Sequence, residues 1–342
     1  MSGEALAVLW FVLLGVLLVG YAILDGFDLG VGILHPFLAR EDRERRLSLN
    51  SIGPLWDGNE VWLVTFAGGL FAAFPTAYAA VLSGFYTATV LLLCCLIFRA
   101  VSIEFRSKRP SKLWRSAWDF GFFASSTGAA AVFGLIVGNV IQGVPLDAAG
   151  RYTGNLWHQL NGYALAVSAL TLSMLALHGC LFLTLKTSGA LAERAQRAAP
   201  WLFGAFALCY LGVTVWTGVA LPQASATLEA YPLLWVVPVL NLLAVLNIPR
   251  ALHLKRPGYA FFSSSCVIAA LVFLFGVAQF PRLLSARPDL GLSLTIYNAA
   301  SSPSTLKLMS VIALIGMPLV LSYTVLVYWT FRGRVSLDEH SY

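Results

Sequence analysis

Two pairs of carboxylates carry the chemistry open to this sequence. In "GPLWDGNEVWLVTF", residues 53–66, Asp57 and Glu60 stand three residues apart where an apolar run begins. In "GYAILDGFDLGVGILHPF", Asp25 and Asp28 repeat that spacing after the uncharged run 5–24. Residues three apart share one face of a helix. Ionisable side chains within a membrane span cost about 2.5–3.5 kcal/mol each on insertion scales, and they commonly mark ion or proton paths. The same acids can instead offset a helix dipole or face headgroups and arginines at a membrane edge. The proton reading rests mainly on Asp25 and Asp57. Arg99 and Glu104 are expected at about the same level on the next helix, and Trp56 beside Asp57 either shapes the mouth or packs.

The elements that must position these groups follow from composition. Of 342 residues, 58% are hydrophobic and 11% charged, and mean hydropathy is +0.78. Soluble domains carry about 25% charged residues, so the chain is expected to be an all-α polytopic membrane protein. The start, "MSGEALAVLWFV", has no basic leader region and carries Glu4, so its apolar run is expected to be a retained first helix. Charge-free runs occupy 5–24, 61–98, 120–146, 152–185, 198–228, 230–249, 257–281 and 308–331. The run 61–98 is too long for one span of about 20 residues. With Pro75 near its middle, it is expected to be two helices joined by a tight turn at "FPTAY". That makes nine transmembrane helices.

Glu60 and Pro75 are separated by only about 21 Å of helix, short of the roughly 30 Å hydrocarbon core. Helix 2 is therefore expected to begin near Pro54, with both acids inside it. Helix 1 is expected to run past its acids to Phe37, with Gly26 and Gly30 as a small-xxx-small pair admitting a close neighbour. The basic segment "AREDRERR" joins the two helices, so both acid pairs approach one membrane edge.

Of the 22 lysines and arginines, 17 fall in alternate connecting segments: Arg40 to Arg46, Arg106 to Arg115, Lys186 to Arg197, Arg250 to Arg256, and Arg332 with Arg334. Only Arg151, Arg282, Arg287 and Lys307 fall in the others, and Arg99 lies at a helix end. Cytosolic loops hold the basic excess, so the expected topology is N-out, C-in, with the acids on the cytosolic side. The net charge of +6 is then a matter of topology, and nucleic-acid binding has no support. Trp114, Trp118, Trp157, Trp201 and Trp329 fit an interfacial belt.

Metal and haem signatures are weak. Cys94, Cys95, Cys180, Cys209 and Cys266 all lie in apolar runs with no C-x-x-C pair, as small buried hydrophobes do. A haem needs axial histidine or methionine at matched depth. His35 and His253 lie near helix ends and His340 in the tail, while His158 and His178 are about 30 Å apart on one helix. His178 with Met174 one turn earlier is the one arrangement that fits, and a packed, hydrogen-bonded histidine is expected there instead. Serine-nucleophile, phosphate-loop and metalloprotease signatures are absent.

The stretches "GYAILDGFDLGVGIL", "ERRLSLNSIGPLWDGNEVWLVTFAGGLFAAFPTAYAAVLSGFY" and "FRAVSIEFRSK" resemble subunit II of the cytochrome bd quinol oxidases. The likeness continues through "WDFGFF", "GNVIQGVP", "YTGN" and "YWTFRGRVS". The short loops resemble the compact branch that includes the cyanide-insensitive oxidases. The resemblance implies a single membrane domain of two four-helix bundles (1–142 and 152–281) plus a peripheral helix (308–331).

The resemblance also implies a partner, subunit I, that carries haems b and d and the quinol-oxidising loop. Quinol is then oxidised outside, O2 is reduced to water with cytosolic protons, and a proton-motive force arises without pumping. This chain would be a haem-free scaffold in a bacterial inner membrane, in contact with lipid and the quinone pool. A structural quinone and a small single-helix third subunit are left open. The Trp-Asp at Trp56–Asp57 is expected at the subunit interface, at the cytosolic mouth of a proton path that includes Asp25, Asp28, Glu60 and Arg99. If Glu60 replaces an amide of the family, the mouth carries an extra acid and the family's route does not transfer unchanged. A proton-coupled secondary transporter is the alternative, with its acids at the bilayer midplane among broken helices.

Overall fold

The computed structural model describes residues 2–337, so His340 lies outside the described residues. Among those residues, eight helices are long and apolar enough to cross a membrane. They are α1 (Gly3–Leu38), α5 (Tyr86–Phe105), α6 (Lys112–Gln142), α8 (Gly162–Lys186), α9 (Gly189–Ala220), α11 (Val236–His253), α12 (Pro257–Gln279) and α13 (Pro303–Thr330). Shorter elements join them: α2 (Asp42–Ile52), α3 (Trp56–Ala73), α4 (Pro75–Gly84), α7 (Leu156–Gln159), α10 (Pro222–Ala230), and an antiparallel pair, β1 (Arg282–Leu284) and β2 (Leu294–Thr295).

Helix α1 runs through both aspartates as expected, and Asp25 and Asp28 are fully buried. The segment 53–98 differs from expectation. Residues 53–55 form a turn closed by Leu55 N–H on Ile52 O at 2.7 Å, so α3 starts at Trp56 and leaves Pro54 outside it. The chain breaks at Phe74, ahead of Pro75, which has no N–H to continue α3. A ten-residue helix, α4, and a second break at Phe85 take the place of one tight turn. Asp57, Asn59 and Glu60 leave α3 without an apolar stretch of spanning length, although its 18 residues give about 27 Å of helix.

The segment read as a basic loop is α2. It is started by a capping box in which the Glu41 and Glu44 side chains each take the other's backbone N–H. Glu44 also accepts from the Arg40 N–H at 2.8 Å and ion-pairs with Arg194 of α9. Burial pushes the Glu44 carboxyl upward, but Arg194 and the Glu41 and Arg40 amides outweigh it and hold it below the usual glutamate range.

Helix α1 lies at the centre, against α3, α6, α8 and α12. Its contact with α8 is backbone to backbone: a Cβ on Gly30 would lie 2.0 Å from Leu175 O, and one on Gly179 would lie 2.3 Å from Gly30 C. This is the close approach that the Gly26–Gly30 spacing predicts. Gly30→Ala should therefore cost about 1–3 kcal/mol by overpacking, whereas Gly15→Ala, which meets nothing within 4 Å, should not. Thermal unfolding of the purified complex in detergent should show a lowered midpoint for the first variant alone.

Glu44 generates a pH prediction. A carboxyl held below its unfolded value stabilises the fold above that value, and the contribution fades as pH falls through the lowered one. Wild-type thermal stability should decline on acidification below about pH 4.5. Glu44→Gln should show a shallower decline over the same window.

Candidate functional site

Arg99 organises the acids. It lies on α5, six residues before that helix ends, and is fully buried. Its Nη2 donates to Asp25 Oδ1 at 2.7 Å and ion-pairs with Glu60. Asp28, one turn beyond Asp25 on α1, accepts through Oδ2 from Asn59 Nδ2 at 2.8 Å. Asn59 Nδ2 also donates to Leu24 O at 3.1 Å, and its Oδ1 accepts from the Tyr328 hydroxyl of α13 at 3.0 Å. Four helices, α1, α3, α5 and α13, thus converge on one polar knot.

Burial is graded across the knot. Asp57 is exposed in the first turn of α3 and Trp56 beside it is buried. The Glu60 side chain is 23% exposed, while Arg99 and Asp25 are at 0%. Asp57 and Glu60 share a helix face, so the carboxylates form a stair from the surface inward. Five buried polar atoms have no partner among the described residues: Asp25 Oδ2, Asp28 Oδ1, Arg99 Nε and Nη1, and the Tyr21 hydroxyl. One guanidinium balances one carboxylate, whereas three carboxylates gather here. Such a composition is suited to holding an exchangeable proton. All six expected residues are placed: Asp25, Asp28, Glu60 and Arg99 in one cluster, with Asp57 at its rim and Trp56 packed beside it.

A second charged cluster was not anticipated. Asp119, near the start of α6, accepts from His35 Nε2 at 2.8 Å, Arg45 Nη1 at 2.7 Å and Arg106 Nε at 2.5 Å. Arg106 reaches on to Asp42, which also pairs with Arg115, and His35 Nδ1 is hydrogen-bonded to Ser48 Oγ at 3.2 Å. The cluster ties α1, α2, α6 and the turn that follows α5 together at the end of the bundle that carries α2. Asp119 immediately precedes the charge-free run 120–146, so it looks like flanking sequence, and only the "WD" of "WDFGFF" signals it. Asn59 and Tyr328 had no sequence signal beyond being polar residues in apolar helices.

The two buried histidines, His35 and His178, are committed to packing. His178 is hydrogen-bonded at Nδ1 to Ser264 Oγ (2.7 Å) and donates from Nε2 to Ile23 O (3.1 Å), with its ring stacked 4.6 Å from Phe261. His35 is bonded at both nitrogens, and His158 is exposed and held by Asn155. Among the described residues no group of three or more His, Cys, Asp or Glu is placed to hold a metal ion.

Fold and site define a multi-pass helical membrane protein with a carboxylate-rich charge cluster that opens toward one end of the bundle. The family model described as cytochrome bd terminal oxidase subunit II matches residues 6–331. Cytochrome bd-I ubiquinol oxidase subunit 2 of Escherichia coli (strain K12) is 37% identical over 368 residues, 98% of this chain and 97% of the relative. Cytochrome bd ubiquinol oxidase subunit 2 of Bacillus subtilis (strain 168) is 35% identical over 332 residues, 97% of each chain. A chain of the bd oxidase from Geobacillus thermodenitrificans shares the fold at a TM-score of 0.78 and 20% identity, covering 96% of this chain and 98% of that one. The chain belongs to the cytochrome bd terminal oxidase subunit II family, and it is a subunit of an oxidoreductase complex.

Asp119→Asn removes the negative charge that three basic side chains share. Breaking a buried pair from one side costs roughly 3–5 kcal/mol. The variant should therefore show a much reduced yield of folded complex by fluorescence-detected size exclusion, and an unchanged profile would remove Asp119 from the frame.

Proposed function

We propose that this chain is the scaffold of a quinol-oxidising, O2-reducing complex, and that it supplies cytosolic protons to a haem-bearing subunit I. The observation that carries the proton role is the stair of burial from Asp57 through Glu60 to Arg99 and Asp25, with Asp28 beyond. In this reading, Asp57 collects a proton at the surface. Glu60 passes it inward, and Arg99 fixes the carboxylates of Glu60 and Asp25 on one guanidinium so that the proton moves over a short path. Trp56 packs at the mouth. Neutral Asn59 orients Asp28 without competing for the proton.

The rest of the architecture fits the same reading. Counting α3 as a span gives nine helices, N-out and C-in, in a bacterial inner membrane. The bundles are 1–142 and 152–281, with α13 peripheral to both. In this reading haems b and d belong on the partner, which the engagement of both His178 nitrogens supports. Proton uptake from one side, with quinol oxidised on the other, builds a proton-motive force without pumping. A small third subunit, lipid and the quinone pool are the remaining contacts. A structural quinone fits a cavity of 460 Å³, apolar but edged by Tyr21, Tyr163, Tyr210 and Thr217. The transporter alternative places its acids at broken helices near the midplane. Here α1 is continuous through Asp25 and Asp28, and both lie beyond its midpoint.

Asp57→Asn and Glu60→Gln, made separately, should each slow O2 consumption by roughly tenfold or more, within the range that proton-transfer groups contribute, with haem spectra and assembly intact. Turnover and proton uptake both at wild-type levels would assign these acids to structure. Loss of the haem spectrum would assign them to assembly.

A further inference from the structure

At the end of α6 remote from Asp119, a second cavity of 710 Å³ opens between the last turn of α6 and the start of α8. Gln142, His158, Asn161 and Arg287 are among its lining residues, and no aspartate or glutamate is. The backbone of Arg287 is held in place and its side chain is exposed. Its N–H donates to Val144 O at 2.8 Å, and Val144 N–H donates to Ser285 O at 2.8 Å, so segments 143–145 and 285–287 are held side by side. Between them Gly143 adopts φ +91°, and a Cβ there would meet Arg287 Cγ at 3.1 Å. The glycine of "GNVIQGVP" thus makes room for the stem of the arginine.

The guanidinium itself has no ion pair or hydrogen bond among the described residues. Arg151, by contrast, is paired with Asp147 at 3.0 Å. The Gln142 side chain and His158 Nε2 are likewise without partners among the described residues, whereas His158 Nδ1 accepts from the Asn155 N–H at 3.2 Å, which leaves the ring proton on Nε2. Donors without acceptors around a cation, with no acid in the wall, describe an anion site. Guanidinium is the side chain best matched to phosphate. Depth points to the source. Asn139 and Gln142 close one span and Asn161 caps the next, so the cavity lies at headgroup level. Beside it, α7 and its flank expose Trp157, Leu156 and Leu160, the amphipathic pattern of an interfacial element.

We propose that this cavity binds the phosphate of a glycerophospholipid from the adjoining leaflet, with Arg287 as the cation and His158 and Gln142 as further donors. The proposal rests on the membrane-spanning fold and not on the proton path, so either can fail without the other.

The test uses the purified oxidase complex, washed in detergent and titrated with phosphatidylglycerol while native mass spectrometry counts bound lipids. Arg287→Gln combined with His158→Gln should lose one retained lipid per complex and weaken retention at least about tenfold, with O2 consumption unchanged. Arg151→Gln should match wild type. A photoreactive phosphatidylglycerol should label residues 143–161 in wild type and not in the double variant. Equal retention in the double variant would overturn the proposal, as would displacement of the lipid by an equal concentration of inorganic phosphate. So would a crosslink from this cavity to a polypeptide of the partner in place of the lipid.

Discussion

The contact between Arg99 and the carboxylates of Asp25 and Glu60 is the constraint on which the arrangement of the first helices depends. A guanidinium at 0% exposure in a membrane bundle cannot stand alone, because an unpaired charge there costs several kcal/mol. It therefore dictates that α5 present this position to α1 and α3 together. The same demand fixes the depth of Asp25 on α1 and the register of α3 against it. Asn59 and Tyr328 extend the constraint to α13, a helix that otherwise buries little of itself.

Close packing makes that geometry possible. Helix α1 approaches α8 through Gly30 and Gly179, and His178 of α8 bonds to the backbone of α1 at Ile23 and to Ser264 of α12. One face of α1 is thus pinned by backbone contact, and an adjoining face is left for charge. Trp62 lies over Gly20, where a Cβ would come within 2.3 Å of the indole. The glycines of α1 therefore set how near α3 and α8 can come, and that nearness brings Glu60 within reach of Arg99.

Much of this was legible in the sequence. Charge-free runs located the eight long helices, and three-residue spacing placed each acid pair on one face. Pro75 marked the break after α3, and Gly26 with Gly30 marked a close neighbour. The unanticipated parts have physical reasons. Asp119 lies at a boundary between charged and apolar residues, and its significance comes from bases at 35, 45 and 106 that only the fold assembles. The start of α3 at Trp56 depends on the turn that α2 imposes, and the density of charge in α2 hid it as a loop. Asn59 and Tyr328 are single polar residues, and a linear pattern has no means of pairing residues so distant. The direction of the acids was readable, but their partners were not.

The two charged clusters differ in a way that bears on the proposed proton path. Both oxygens of Asp119 are bonded, to His35, Arg45 and Arg106, and of the Arg106 nitrogens only Nη1 is without a partner. Three basic groups facing one carboxylate make a fixed clamp, since protonating Asp119 would leave the arginine charges unbalanced. The Arg99 cluster has the opposite stoichiometry, with excess carboxylate, and it has unpartnered oxygens on Asp25 and Asp28. A group passes a proton only if it can be stable in both states, and surplus acid around one cation meets that condition. An amide at position 60 would remove one carboxylate and leave Asp25 as the one carboxylate bonded to Arg99, with Asp28 beyond it on Asn59. With Glu60 present, the surplus is larger and extends toward the surface at Asp57. Glu60 thus carries the run of carboxylates outward from Asp25, toward exposed Asp57 one turn earlier on α3.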